Sequence, residues 1–214
     1  MELIDYLARW GHFLAGITWI GLLYYFNFVQ GEYFKEAEAS ARTDAFVKLV
    51  PRALWWFRWG AMFTFLTGIV MLGIRGAGVT LDITVGAVLG TLMFLNVWLI
   101  IWPNQKILIA SNQQVKSGGE PLPAAAAAAP KAALASRTNT LFSLPMLFLM
   151  GSSAHYAHGG LNGNTTALIA ALAIIAVLQL NAIFGKPGPM ASVRGVIVSG
   201  LALTIVLWGI LEIL

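Results

Sequence analysis

The chain has 214 residues, of which 58% are hydrophobic and only 10% charged, and its mean hydropathy is +0.78. A soluble domain is about half apolar and roughly a quarter charged, so too few charged side chains are present to cover a soluble surface. Because there is no cysteine, disulfides, iron–sulfur clusters and covalent haem c are excluded. The net charge of +4 would suit nucleic acid. In a membrane protein such an excess marks the cytoplasmic loops, so we expect no nucleic-acid partner.

Six apolar segments follow one another along the chain, each near the roughly 20 residues that cross a bilayer as a helix. None alternates apolar and polar residues as a membrane β-strand does. The fourth is the weakest, because it is short and contains Pro145. The sequence therefore predicts an all-α integral membrane protein, a six-helix transmembrane bundle embedded in the lipid bilayer. The predicted spans are about 6–29, 53–74, 83–102, 138–157, 165–184 and 193–213.

Lysine and arginine are concentrated in three of the predicted loops. These loops carry ten of the thirteen basic residues, and the positive-inside rule places such loops in the cytoplasm. Both termini are then outside, in the periplasm of a bacterium whose inner membrane holds the chain. The tryptophans agree, since they lie near both predicted boundaries, as interfacial Trp side chains do. The ten loop residues are Lys35, Arg42, Lys48, Arg52, Lys106, Lys116, Lys131, Arg137, Lys186 and Arg194.

Residues 1–214 are predicted to form a single transmembrane domain. The stretch 116–136 is rich in Pro and Ala, which predicts a cytoplasmic loop with a short surface helix. Gly86 and Gly90 form a GxxxG pattern on the third span, typical of a close-packing helix face. Such a face also favours association with a second copy of the chain.

The three histidines all map to the outer ends of predicted spans. His12 lies about two turns into the first span, and His155 and His158 close the fourth on one helix face. Two histidines on facing helices can ligate a b-type haem, and His12 with His155 is the expected pair because both lie deeper than His158. The three histidines can equally hold copper or zinc, or be ordinary interfacial and hydrogen-bonding residues.

Arg9, Arg75 and Asn96 are the other candidate site residues. Arg9 shares a helix face with His12, and Arg75 ends the second span on the same side of the membrane. Either arginine can attract an anionic substrate or simply snorkel to the interface. Asn96 lies near the middle of the third span, where we expect it to hydrogen-bond another helix.

Charged residues in the spans give further expectations. Arg58 lies just inside the second span, where a cation–π contact with Trp55 and Trp59 would accommodate its charge. The acidic residues Asp82 and Glu212 fall at outer span ends. Because no acid lies in a span interior, an ion-coupled transporter is disfavoured.

Four strings, together spread over about residues 6–190, carry a family resemblance. They resemble the membrane domain of the bacterial cytochrome c-linked urate oxidases, also called urate hydroxylases. The resemblance implies oxidation of urate or a related small molecule, with electrons delivered to a c-type cytochrome. Since this chain has no cysteine for a haem c, it implies a separate cytochrome, and it draws attention to His12, His155, Arg9 and Asn96. The strings are WGHFLAGITWIGLLYYFNFVQ from Trp10, RALWWFRWGAMFTFLTGI from Arg52, WPNQK from Trp102 and RTNTLFSLPMLFLMGSSAHY from Arg137.

Hydroxylating a purine with water releases two electrons, which haem, a metal or a partner protein must accept. A histidine is a candidate general base, and His12 cannot easily be both this base and a haem ligand. A non-catalytic subunit of a larger membrane redox or photosynthetic complex, acting as scaffold or haem relay, is the alternative. A copper-handling membrane protein ranks third, because the methionines are scattered rather than clustered near the histidines.

Overall fold

The computed structural model describes residues 1–161 and 163–214, and most of them are helical. This part of the chain has nine α-helices and no β-strand. Two π-helical segments make α1 continuous with α2 and α5 continuous with α6. The helices are α1 (Glu2–Tyr24), α2 (Gly31–Glu36), α3 (Ala39–Lys48), α4 (Val50–Arg75), α5 (Leu81–Leu95), α6 (Trp102–Lys116), α7 (Ala125–His155), α8 (Thr165–Phe184) and α9 (Val193–Ile213).

Five stretches of helix in the described residues are long and apolar enough to cross a membrane. The all-α prediction is thus confirmed, and the five stretches are compatible with a multi-pass membrane protein. Three of them run beyond the predicted spans, because two continue into α2 and α6 and one into the short turn Gly76–Gly78. The five are Glu2–Glu36, Val50–Gly78, Leu81–Lys116, Thr165–Phe184 and Val193–Ile213.

α7, which contains the predicted fourth span, is the central helix of the bundle. It packs against α5, α6, α8 and α9, and its buried residues include Thr138, Asn139, Thr140 and Ser143. Neighbouring helices can satisfy such polar groups, whereas lipid cannot. A helix that faces other helices therefore needs fewer apolar residues, which explains the weak apolar signal of this segment.

The start of α7 corrects the predicted loop at 116–136. The helix begins at Ala125, so the alanine run is its first part and the loop ends before it. Alanine has the highest helix propensity. Ala128, Ala132 and Ala135 are buried at a helical spacing, so they pack against the bundle instead of forming a separate surface helix.

Small residues bring α5 and α9 close to α7. A Cβ added at Gly86 would lie 3.3 Å from Met150 Cγ, and one at Gly90 would lie 3.5 Å from Met146 Sδ. The predicted close-packing face is confirmed, and it is used within the chain. On α9, a Cβ at Gly200 would lie 3.1 Å from the Leu144 side chain.

The two π-helical segments, Tyr25–Gln30 and Asn96–Ile101, both direct an asparagine to α7. Asn27 Nδ2 donates a hydrogen bond of 2.8 Å to Ser136 Oγ, and Asn96 Nδ2 donates one of 2.9 Å to Asn139 Oδ1. A π-bulge adds a residue to the turn and so shifts the side chains around it. These bonds tie both continuous helices to the centre of the bundle.

Candidate functional site

The candidate site lies at the end of the bundle that carries both termini, where the chain after α7 crosses the start of α5. Leu81 N donates to the Gly159 carbonyl at 3.1 Å, and Leu161 N donates to the Val79 carbonyl at 3.2 Å. Thr80 caps α5 by accepting a 3.2 Å bond from Ile83 N. Two antiparallel backbone bonds and a helix cap thus fix the loop that carries His158.

Asp82, in the first turn of α5, is fully buried and is the centre of this arrangement. Its Oδ1 accepts from Ser152 Oγ at 2.6 Å and lies 2.8 Å from His158 Nδ1. Its Oδ2 accepts from the backbone N–H of His158 at 2.8 Å. A carboxylate in the first turn is also favoured by the helix dipole, so this buried charge is well compensated.

His158 joins Asp82 to a second carboxylate at the surface. Its Nε2 lies 2.9 Å from Glu212 Oε2, and its side chain is only 6% exposed, against 42% for Glu212. The Tyr156 hydroxyl donates to Glu212 at 3.3 Å, and its ring packs edge-on against the imidazole. Asp82, His158 and Glu212 therefore form a continuous hydrogen-bonded chain from the interior to the surface, which we call the carboxylate–imidazole chain.

A positive charge lies beside this chain. Arg75 Nη1 donates a 2.7 Å hydrogen bond to Ser153 Oγ, and Thr80 Oγ1 donates to the same oxygen at 3.0 Å. Ser153 directly follows Ser152, the hydroxyl donor to Asp82. Adjacent serines thus connect the arginine at the end of α4 to the buried carboxylate.

A cavity of about 260 Å³ opens at the same end of the bundle. Its described lining residues come from segments 76–79 and 160–161 and from Gly163, and three of them are glycines, so its walls can offer main-chain N–H and C=O groups. The Thr80–Gly160 bridge lies between the same two segments. The cavity and the carboxylate–imidazole chain are therefore built on one framework. Its lining residues are Gly76, Ala77, Val79, Gly160, Leu161 and Gly163.

Of the predicted site residues, His158 and Arg75 meet in this region. Asp82 and Glu212 were predicted only as acids at span ends, although they hold His158 between them. A sequence signal was available, because Glu212 is the only acidic residue after Glu120. In the predicted topology Asp82, His158 and Glu212 all fall at one side, so the three could have been grouped.

His12, His155 and Arg9 lie apart from the carboxylate–imidazole chain. His12 Nδ1 is 3.1 Å from Thr67 Oγ1 on α4, and Arg9 Nε forms a 2.7 Å ion pair with Asp5. His155 is exposed at the end of α7. In the described residues no hydrogen bond or ring contact joins His12 directly to His155, and ligation of a haem by this pair stays a prediction.

Metal ligation by the histidines has no cluster to support it in the described chain. Residues 1–161 and 163–214 contain no group of three or more His, Cys, Asp or Glu that could hold a metal ion. His158 has a carboxylate oxygen within 3 Å of each ring nitrogen, and these contacts use both of its coordinating atoms. Ligation by His12, His155 or His158, and haem b itself, stay predictions.

Asn96 forms the interhelical bonds expected of it. Gln179 Nε2 donates to Asn96 Oδ1 at 2.7 Å, and Asn96 Nδ2 donates to Gln179 Oε1 at 3.1 Å. The same Asn96 Nδ2 also donates to Asn139. Asn139 Nδ2 in turn donates to the Met93 carbonyl at 2.9 Å. This closed amide network joins α5, α7 and α8 at mid-bundle, and a catalytic role of Asn96 stays a prediction.

Arg58 makes its cation–π contacts with other tryptophans than the predicted ones. Its guanidinium carbon lies 3.4 Å from the Trp102 ring centroid and 5.7 Å from that of Trp98. The prediction of Trp55 and Trp59 was wrong, because Trp55 is about half-exposed and Trp59 packs edge-on against the Trp98 ring instead of against the guanidinium. Arg58 instead faces the neighbouring α5–α6 helix.

The fold and the site define an all-α protein compatible with multiple membrane passes, with a buried acid–histidine–acid chain at one end. The chain belongs to the family described as "urate oxidase N-terminal", whose model matches residues 75–209. This match begins at Arg75 and includes Asp82 and His158. No curated protein and no solved structure matches the chain significantly.

Proposed function

We propose that this chain is a membrane-bound oxidoreductase of the urate hydroxylase type, which oxidises urate or a related small molecule. The observation that carries the proposal is the buried carboxylate–imidazole chain, which lies beside Arg75 and begins within the family match. A buried acid–base pair that reaches the surface is a typical feature of proton-transfer sites.

Substrate binding is assigned to the 260 Å³ cavity next to this chain. Urate is an anion at neutral pH, so the Arg75 guanidinium at the same end of the bundle attracts it. Its ring carries lactam N–H and C=O groups, which backbone groups of the cavity walls can pair. Glycines at three lining positions let a planar ring approach the main chain closely.

Proton transfer is assigned to His158, Asp82 and Glu212. Hydroxylation of urate takes its oxygen atom from water and releases two protons and two electrons. The partly exposed Glu212 carboxylate moves off His158 Nε2 when substrate binds, so that this nitrogen can accept a proton from the attacking water. Glu212 then takes the proton from Nε2 and passes it to solvent. Asp82 fixes the imidazole through the backbone N–H and Nδ1 contacts, so that it orients the base in the manner of a buried catalytic aspartate.

The two electrons are assigned to a separate c-type cytochrome, whose haem takes one electron at a time. We propose six spans, with α7 as the fourth, and both termini on the periplasmic side of a bacterial inner membrane. Ten of the thirteen basic residues lie in the predicted connections at the other end of the bundle, which the positive-inside rule assigns to the cytoplasm. The carboxylate–imidazole chain then faces the periplasm, where a soluble cytochrome docks. A haem b held by His12 and His155 is not needed for any of these steps.

The test is reduction of oxidised cytochrome c by urate with the purified full chain in detergent, followed at the haem absorbance band. We expect His158→Gln and Arg75→Gln each to lower kcat/KM at least a hundredfold, mainly through kcat for His158 and through KM for Arg75. Arg52→Gln removes an exposed arginine at the other end of the bundle and should leave the rate unchanged. His155→Gln tests the haem hypothesis separately. If His155 ligates a haem b, this substitution should abolish a b-type absorption spectrum.

The alternative is a non-catalytic subunit of a larger membrane redox or photosynthetic complex. Urate-independent binding of the cytochrome, with no reduction at any urate concentration, would contradict the enzymatic proposal and support this alternative. An unchanged rate in His158→Gln would leave the activity in place but refute the assignment of the site.

A further inference from the structure

A second cavity, of about 490 Å³, lies at the opposite end of the bundle from the carboxylate–imidazole chain. It is a groove between α8 and α9, closed at the back by α7 and at one end by the 186–190 turn, and we call it the α8–α9 groove. Its wall is mainly apolar and includes Leu141, Ile174, Leu178, Ala202, Leu203 and Val206.

The groove exists because consecutive helices are held apart. Short loops usually place antiparallel helices side by side along their length. Here α9 instead packs mostly on α7, where Gly200 allows it to approach Leu144. The 3-10 turn Gly188–Ala191 occupies the space between the ends of α8 and α9. Gly188 has a φ of +50°, a conformation that favours glycine.

The mouth of the groove is basic. Lys186 lines it, and the local structure fixes the Lys186 backbone, because Asn181 Nδ2 donates to the Lys186 carbonyl at 3.1 Å. Arg194 is exposed in the first turn of α9, and its neighbour Gly195 lies against Pro189 of the groove lining. Neither side chain has an ion-pair partner in the described residues, and the sequence contains no acidic residue between Glu120 and Glu212. The positive charge at the mouth is therefore available to an external anion.

We propose that the α8–α9 groove binds an anionic phospholipid, with an acyl chain along the apolar wall and the phosphate at Lys186 and Arg194. The charge of the mouth matches an anionic headgroup, and the apolar wall, open to the surrounding bilayer, matches an acyl chain. Basic pockets between transmembrane helices on the cytoplasmic side are a known mode of anionic lipid binding. Neither a free anion nor an apolar helix would use both parts of the groove.

The experiment is native mass spectrometry of the full chain in detergent, titrated with phosphatidylglycerol or with phosphatidylcholine of the same acyl chains. We expect phosphatidylglycerol to bind at least fivefold more tightly. Lys186→Gln with Arg194→Gln should reduce this preference to less than twofold. Lys131→Gln removes an exposed base at the same end but away from the groove, and it should leave the preference unchanged.

A second variant tests the groove itself with the charges intact. Ala202→Trp places an indole in the apolar wall, so it should weaken phosphatidylglycerol binding at least fivefold. Thermal unfolding with and without phosphatidylglycerol is the second measurement, because a ligand that binds the native state raises Tm. We expect the lipid to raise Tm in the wild type and in Lys131→Gln, and not in Ala202→Trp.

Three results would overturn the proposal. Equal retention of the two lipids would show a non-selective annular contact. An undiminished phosphatidylglycerol preference in the Lys186/Arg194 double variant or in Ala202→Trp would place the lipid elsewhere. Displacement of phosphatidylglycerol by millimolar inorganic phosphate would show that the basic mouth binds phosphate alone and that the groove holds no acyl chain.

Discussion

Replacing Asp82 by asparagine tests whether the carboxylate organises the end of the bundle. The two side chains have nearly the same shape, so the change removes charge without making a cavity. Asparagine offers one oxygen and one NH2 group, whereas both Asp82 oxygens face donors in the structure. An NH2 group opposite the His158 backbone N–H would set two donors against each other. The amide must therefore turn its NH2 to Ser152 and to the imidazole Nδ1, which then has to accept.

The cost follows from the three hydrogen bonds to Asp82. Bonds to a charged group are worth about 1.5–3 kcal/mol each and neutral ones about 1 kcal/mol. Conversion of three charged bonds to neutral ones therefore costs about 3 kcal/mol of unfolding free energy. For a chain of this size, each kcal/mol shifts Tm by roughly 2–4 °C. We expect Asp82→Asn to lower Tm by about 6–12 °C.

The assay is thermal unfolding of the purified protein in one detergent, followed by circular dichroism at a fixed scan rate. Asp44→Asn is the matched control, because Asp44 is exposed and pairs with the surface residues Lys48 and Lys116. Exposed ion pairs contribute little, so its Tm should stay within about 2 °C of the wild type. A Tm for Asp82→Asn equal to that of the control would refute the reasoning that the buried carboxylate holds this end together.

Three further predictions concern packing, the amide network and charge. Gly200→Leu should lower Tm by at least about 5 °C, because the added side chain overpacks against α7. Gly209→Leu is the control and should leave Tm unchanged, since no atom lies within 4 Å of a Cβ added at Gly209. Equal Tm values for the two variants would contradict the close approach of α9 to α7 at Gly200. Asn96→Ala should cost about 1 kcal/mol in denaturant titration because interhelical hydrogen bonds in membranes are worth that much, and no change would show the amide network to be dispensable. The hydrogen bond from Lys116 lowers the pKa of Asp44, and a second hydrogen bond from Lys48 on α3 lowers it further. Its contribution to the α3–α6 contact is thus present above about pH 4 and is lost as pH falls through the lowered pKa; in an NMR titration Lys116→Gln should raise the Asp44 midpoint, and an unmoved midpoint would contradict the pairing.

The helices and the close-packing faces could be predicted because they depend on local composition. Apolar runs of about 20 residues identify helices that face lipid, and Gly86 and Gly90 mark a close approach whatever the partner is. α7 gave a weaker signal for a physical reason. Its buried Asn139 is satisfied by the Met93 carbonyl of α5, and its buried Thr138 by the Leu134 carbonyl of α7 itself. The low hydropathy of α7 therefore reflects contact with other helices rather than with lipid.

The candidate site could be predicted only in part, because its partners come from three distant parts of the chain. His158 was visible as an interfacial histidine, but nothing local shows that it lies between Asp82 and Glu212. Those contacts depend on the backbone pairing of segments 79–81 and 159–161, which has no sequence motif. The same reasoning explains Arg58, whose tryptophan partner Trp102 belongs to a different helix.

The distribution of acids and bases connects the site to the membrane. After Glu120 the chain carries four basic residues and a single acid, Glu212, and that acid contacts His158. A lone carboxylate at the end of a long apolar segment is not needed for solubility, because charged residues at the other end already supply the interfacial charge. Its contacts with His158 and Tyr156 give it a specific position instead. If the proposed activity is correct, Glu212→Gln should slow proton release more than Glu2→Gln, which removes an exposed acid at the same end. The rate of proton release is measured with a pH indicator in weakly buffered solution, and cytochrome reduction is followed in the same sample. Equal rates of proton release in the two variants would show that protons leave His158 by another route.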